Sequence, residues 1–374
     1  KAVFFSGLNE IRAIAALSVL FHHVELYKHK LGIESLYDVK FLRFFISTLG
    51  HNGVLLFFTL SGFLITYLLL VEKKESGDIN SKNFYLRRIL RIWPVYFICL
   101  VFGFVVIPIL YSNFSWFFIG QHTYNKLIDN IEYGWNLILN IFFLSNCVTL
   151  RFPGVVGASQ NWSVSVEEQF YLFWPWVVKW ANRFFIHVMV GIIVVIGLLP
   201  TLFRKFPFLL HNNLFEAFIK SFFIDYMAVG ALAAYAYLKY PHQIKWFIRN
   251  PFFLLSGLVL MIFHLQFSGI HFLRAISFAI VILASIEWKL SIRPLDYLGK
   301  ISYGLYMYHP MVMYLIFALF TNLKLPYSWI NLFVYLGVIS GTLLVSLCSY
   351  KFIELPLLRK KDKFATVKSG KPEI

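Results

Sequence analysis

The chain has 374 residues, 59% of them hydrophobic, 20% aromatic and only 14% charged, with a formal net charge of +16. Apolar runs of about 20 residues recur from end to end, each long enough to span a hydrocarbon core of roughly 30 Å, which excludes a soluble enzyme and reads as an all-α polytopic membrane protein. The runs are continuous rather than alternating, so helices and not a barrel satisfy the backbone in lipid, and the basic excess sits in short loops, where it reports topology and not nucleic acid as a partner.

Taken in chain order, about ten transmembrane helices are expected, at 8–27, 48–71, 92–111, 164–181, 184–203, 214–238, 251–267, 271–290, 300–320 and 329–350. The opening KAVFFSGLNEIR lacks a small-residue cleavage site after an apolar core and reads as the start of the first helix, not as a signal peptide. The stretch 135–149, WNLILNIFFLSNCVT, is short for a crossing and carries three asparagines. If it is re-entrant or interfacial and both termini are cytoplasmic, the inner loops hold 21 Lys and Arg and the outer loops 9, as the positive-inside rule requires. Residues 1–355 are expected to form a single transmembrane domain and 356–374 a mobile, basic cytoplasmic tail. No internal repeat of the transporter kind is visible. Cys99, Cys147 and Cys348 lie in apolar context without metal spacing, so no disulfide framework and no metal site are expected.

Ionisable groups inside spans are costly and are functional candidates. In the first helix Arg12 and His23 point the same way, separated by roughly 16 Å of rise, with Ala15, Ala16 and Val19 between them. His22 lies about 80° off that line. Hydrogen bonding between helices, or a place at the interface, is the plain alternative for either histidine. In HNGVLLFFTLSGFLI, residues 51–65, Ser61 and Gly62 are small enough for a helix or a ligand to approach closely. FYLRRILRIWPVY, residues 84–96, puts Arg88 and Arg91 on one face with Arg87 adjacent. Topological anchoring explains any one of them, while three arginines on a helix start also suit bidentate binding of phosphate. NWSVSVEEQFYLFWP, residues 161–175, is expected to start a helix capped by Ser163 or Ser165, with Glu167 and Glu168 in the first turns. Glu167 and Tyr171 are spaced to face one cavity, and a carboxylate beside a neutral imidazole suits general-base work. ISYGLYMYHP, residues 301–310, sets Ser302, Tyr303, Tyr306 and His309 on a helix expected to break at Pro310.

Arg12, Ala15, Val19 and His23 as R-x-x-A-x-x-x-V-x-x-x-H, then FFTLSGFLI, RRILRIWP, NWSVSVEEQFYLFWP and ISYGLYMYHP, follow one another in this order. Together they resemble the membrane acyltransferase-3 family over about residues 7–355. The resemblance implies an enzyme of the bilayer that moves an acyl group, often acetyl, from cytoplasmic acyl-CoA to a hydroxyl of an extracytoplasmic carbohydrate or glycolipid, and a place in the bacterial inner membrane. It further implies that His23 is catalytic, that Arg88 and Arg91 handle the donor, and that Glu167 matches the glutamate after the W-S-L-type motif, which here reads WSV. NEIR stands where the family commonly shows DGLR, so Asn9 has no acidic group and receives no role. Some relatives carry a fused esterase-like domain; none is expected after residue 355.

The mechanism expected from these readings needs His23 to face a cavity reached from both sides. Arg88, Arg91, Arg87 and Arg12 would bind acyl-CoA, and neutral His23 would take the proton of the acceptor hydroxyl as it attacks the thioester, with Glu167 assisting. Ser61, Tyr171, Ser302, Tyr303 and His309 are the candidates for substrate or oxyanion contacts. An acyl-histidine intermediate is the covalent variant. A transporter of an anionic or lipid-linked substrate, or a structural membrane protein, are the readings from other classes.

Overall fold

The computed structural model describes residues 2–114, 132–151, 155–205, 218–253, 255–257, 259, 271–322 and 327–369. Much of the expected span at 251–267, and parts of the expected outer loops and tail, lie outside the described residues. Regular structure is helical apart from a short parallel bridge, β1 (Ala2–Val3) on β2 (Lys368–Ser369), in register Ala2 to Lys368. Among the described residues six helices are long and apolar enough to cross a membrane: Lys40–Ser76, Ser81–Asn113, Asn161–Leu199, Phe218–Lys239, Ser302–Phe320 and Trp329–Phe364. The chain is therefore a helical integral membrane protein.

Among the described residues the count is below ten, in part because much of the expected span at 251–267 lies outside them and in part for physical reasons. Helix α1 (Leu8–Lys30) has 23 residues, but Glu10, Arg12, Glu25, Lys28 and Lys30 interrupt its apolarity. It is nevertheless well buried, sheathed by α2 (Lys40–Ser76) and by helices from the C-terminal half. After α3 (Ser81–Val101), a π turn leads into α4 (Ile107–Asn113). Farther on, α7 (Asn161–Ala181) passes through one 3₁₀ turn into α8 (Phe185–Lys205), so two expected spans make one long apolar stretch.

The stretch expected not to cross forms two short helices, α5 (Glu132–Ile141) and α6 (Ser145–Arg151), with Phe143 between them at φ 56°. Neither has the length of a membrane crossing. The carbonyls released at the break find side-chain donors: Tyr96 Oη on α3 donates to the Asn140 carbonyl at 2.6 Å and Gln169 Nε2 on α7 to the Phe143 carbonyl at 2.8 Å. Broken backbone is tolerated at membrane depth only when protein satisfies it in this way.

The most extensive helix contact among the described residues joins α2 to α9 (Ile224–Lys239). A Cβ on Gly62 would lie 2.0 Å from the Met227 carbonyl oxygen, and one on Gly230 would lie 2.0 Å from the Thr59 carbonyl oxygen. Small residues allow this approach, and packing is what drives helix association where lipid is as apolar as leucine. Gly62→Ala must push the backbones apart, so a loss of about 1–3 kcal/mol is expected. Thermal unfolding in detergent measures it, and an unchanged melting temperature would contradict the contact. Downstream lie α10 (Pro241–Arg249), α11 (His271–Glu287) with only 17 residues, and α12 (Arg293–Lys300). Then α13 (Ser302–Asn322), α14 (Tyr327–Ser349), a second π turn and α15 (Leu355–Lys361) complete the bundle.

Candidate active site

Helices α1, α2, α3, α7 and α13 enclose a cavity of about 90 Å³. Arg12, Ser61, Arg88, Arg91, Glu167, Tyr171, Ser302 and Tyr303 all line it. Residues from five helices thus line one cavity. Apolar walls come from Phe57, Phe58, Leu64 and Ile92 among others.

Helix α7 begins at Asn161, earlier than expected, with no side-chain cap. Ser163 and Ser165 are therefore interior residues and not caps, and no acidic residue falls in the first turn. The helix dipole does not account for Glu167. Its two oxygens instead accept hydrogen bonds from Ser61 Oγ at 3.0 Å and Tyr171 Oη at 2.8 Å. Glu168 turns away to α3 and accepts from Trp93 Nε1 at 3.1 Å.

The three arginines of the α3 motif part company. Arg88 is buried, lies over the rings of Phe84 and Tyr171, and leaves its Nε without a partner. Arg91 lines the cavity beside it. Arg87, one residue earlier and about 100° around the helix, does not reach this cavity. Its guanidinium donates to Glu72 Oε2 at 3.0 Å and to the Phe364 carbonyl at 2.6 Å, which ties α3 to α2 and to the C-terminal segment. Arg12 donates to Asn9 Oδ1 at 3.3 Å, and Asn9 in turn donates to Asp296 Oδ1 at 2.9 Å. Asn9, given no role from the sequence, orients Arg12. Around the cavity Arg12, Arg88 and Arg91 face the single carboxylate Glu167, which favours an anionic ligand.

His23 and His309 are not among the lining residues. They pair with each other, His23 Nδ1 to His309 Nε2 at 2.7 Å with the rings stacked 5.0 Å apart. Helix α13 runs through Pro310 without breaking. That proline offers no N–H to the preceding turn, and the His309 ring folds back so that Nδ1 lies 3.2 Å from the Leu305 carbonyl. A carbonyl only accepts, so His309 Nδ1 carries the proton and, in the neutral ring, Nε2 accepts. His23 Nδ1 must then donate, which leaves a lone pair on Nε2 of neutral His23. His309 is fully buried, whereas His23 keeps part of its surface exposed. His22 is fixed differently, with Nδ1 2.9 Å from the Ile46 carbonyl and 3.1 Å from Tyr37 Oη, so interhelical hydrogen bonding accounts for it.

Tyr306 joins the two layers and was not singled out for a role from the sequence. It lines the cavity, its hydroxyl lies 2.6 Å from Ser163 Oγ, and its ring stands 5.9 Å from those of His309 and Phe57. The open line expected from Arg12 to His23 is interrupted by this ring. Among the oxyanion candidates, Tyr171 spends its proton on Glu167 and Tyr303 donates to the Ile92 carbonyl at 2.8 Å. Ser302 has no hydrogen bond to a described residue, so its hydroxyl is the donor that faces the cavity uncommitted. Among the described residues no group of three or more His, Cys, Asp or Glu could hold a metal ion.

The profile of a family described as an acyltransferase domain, acyltransferase-3, matches residues 5–351. The chain belongs to this family. Within the acyltransferase-3 family, its curated relatives include a protein of Staphylococcus aureus strain COL that bears the name "Putative O-acetyltransferase SACOL0978", 25% identical over 97% of this chain and 59% of its own length. Another is the O-acetyltransferase OatA of S. aureus strain NCTC 8325, 24% identical over 96% of this chain and 58% of its own. The chain thus spans less than two thirds of the length of these acyltransferase-3 relatives. No solved structure matches it.

Proposed function

We propose that this acyltransferase-3 chain is a membrane O-acyltransferase that moves an acetyl group from acetyl-CoA to a hydroxyl of an extracytoplasmic carbohydrate or lipid-linked glycan. In this reading residues 1–355 are one transmembrane domain of about ten spans in a bacterial inner membrane, with the charged first helix counted among them and both termini cytoplasmic. The helices at 132–151 are re-entrant. The arginine end of the cavity receives the donor, and His23 meets the acceptor beyond the Tyr306 ring, outside the cavity wall. The names of the S. aureus relatives support acetyl as the group moved.

The observation that carries the reading is the direction of the hydrogen-bond chain from Leu305 through His309 to His23, which leaves His23 Nε2 free to act as a base. The acceptor hydroxyl gives its proton to that nitrogen while its oxygen attacks the thioester carbonyl, with Ser302 an uncommitted hydroxyl donor of the cavity wall for the developing oxyanion. The C–S bond then breaks, and the departing thiolate takes the proton from the imidazolium, so an ester and a free thiol leave. For the donor arm to reach His23, the Tyr306 side chain turns aside from its bond to Ser163. Glu167, held by Ser61 and Tyr171, fixes the polar wall opposite and balances part of the arginine charge.

Purified protein in lipid nanodiscs, given acetyl-CoA labelled in the acetyl group and a soluble oligosaccharide, should release thiol and label the sugar in equal amounts. Movement of a substrate across proteoliposomes without thiol release would overturn the enzyme reading in favour of a transporter.

A further inference from the structure

The segment after Glu354, expected from sequence as a mobile basic tail, is folded onto the arginine end of the bundle over its described length. Helix α15 packs on α3, the Phe364 carbonyl accepts from Arg87, and β2 pairs with β1. This strap buries Lys361, whose residue is 7% exposed. Its one ion-pair partner among the described residues is Asp362, 3.8 Å away with a side chain 44% exposed. Lys361 lines a second, smaller cavity with Arg87, Arg88, Glu72 and Asp362, and Arg88 and Ile65 belong to the walls of both cavities.

The charges here do not balance. Glu72 is committed to Arg87 and to the Asn80 backbone N–H. Arg88 is buried with its Nε unpartnered, and Arg88, Arg91 and Arg87 all act electrostatically on the Lys361 ammonium. Three cations, Arg87, Arg88 and Lys361, stand here against two carboxylates, Glu72 and the half-exposed Asp362; buried cations short of counter-charge are strongly unfavourable, and the missing component is an anion. We propose that Lys361 is a further donor-binding residue, and that the strap and α3 together hold the phosphate-bearing end of the acyl donor between Lys361, Arg88 and Arg91. This rests on the donor assignment proposed above. The second cavity, about 20 Å³, has room for a water and not for a phosphate. Seating the donor therefore eases the strap outward, against one Arg87 hydrogen bond and a two-residue bridge.

Binding of acetyl-CoA and of S-acetylpantetheine, which lacks the phosphates, is measured for the wild type, Lys361→Met and Lys361→Arg in nanodiscs of neutral lipid. Losing one charged hydrogen-bond donor should weaken acetyl-CoA about 10- to 100-fold in Lys361→Met. KM should rise with kcat spared, acetylpantetheine should bind as before, and Lys361→Arg should restore most of the affinity. The melting temperature of Lys361→Met without donor should equal or exceed that of the wild type, because a buried cation paired only with the distant, half-exposed Asp362 is gone; a fall would mark a structural lysine and overturn the proposal. Equal acetyl-CoA affinity in wild type and Lys361→Met overturns the lysine's role alone, whereas a wild type that binds no acetyl-CoA overturns the donor assignment itself. If, in a parallel series of nanodiscs containing anionic lipid, the variant loses only a response to that lipid, the cluster takes a headgroup and the donor proposal fails.

Discussion

Replacing His23 by alanine is expected to lower acyl transfer by about 10²- to 10⁴-fold, the range a positioned general base supplies. Donor affinity and melting temperature should stay near those of the parent, because His23 has no hydrogen-bond partner except His309 among the described residues and no contact with the arginine-lined cavity. His309→Ala tests the hydrogen-bond chain separately. It removes no group that touches substrate, so loss there reports orientation: kcat should fall while donor KM holds, and the effect should be smaller than for His23. His309→Gln, whose side-chain oxygen can accept from His23 Nδ1, should recover part of the rate. The measurement is thiol release from acetyl-CoA in the presence of an acceptor. Transfer at the parental rate in His23→Ala would remove the base from the mechanism, and equal losses with no recovery in His309→Gln would reduce the pair to packing.

The neighbouring arginines show what could be read in the sequence and what could not. A helix puts Arg88 and Arg91 on one face and Arg87 off it, so their separation follows from spacing alone. That Arg87 meets Glu72 and the Phe364 carbonyl depends on partners 15 and 277 residues away, which no local pattern specifies. The same limit applies to the histidines. His23 was visible as a polar group in an apolar helix, but its partner lies 286 residues on, and only their pairing tells which ring nitrogen is free. Tyr306 sits three residues after Tyr303 on the same polar face and could have been included by that spacing. The first helix was placed by its apolar run, yet its charges are what remove it from the apolar spans, and two of them, Glu25 and Lys28, were an unheeded signal. An acid inside a predicted span with a lysine three residues on, just past its end, asks for a buried pair.

That pair supports the second large effect. The Glu25 carboxylate, fully buried, accepts from Lys28 Nζ at 2.7 Å, from Ser35 Oγ at 2.8 Å, from the Leu36 backbone N–H at 2.6 Å, and from the Tyr335 hydroxyl on α14. One side chain thus fastens the far end of α1 to the following loop and to α14, two residues from the catalytic candidate. Glu25→Gln keeps the shape but strands the Lys28 ammonium, itself 4% exposed, without a counter-charge. Removing one partner of a buried pair costs about 3–5 kcal/mol, whereas replacing both with apolar groups of similar volume is often nearly neutral. Glu25→Gln should therefore unfold at markedly lower temperature in detergent, and adding Lys28→Met to it should recover much of the loss although a second native residue has gone. Transfer activity should follow the same order, since His23 lies two residues before Glu25 and loses its alignment with His309 when this end of α1 loosens. A Glu25→Gln protein as stable as the parent would mean that water reaches Lys28, and the anchoring of His23 would have to be sought in Gly50, where a Cβ would lie 2.4 Å from the His22 ring.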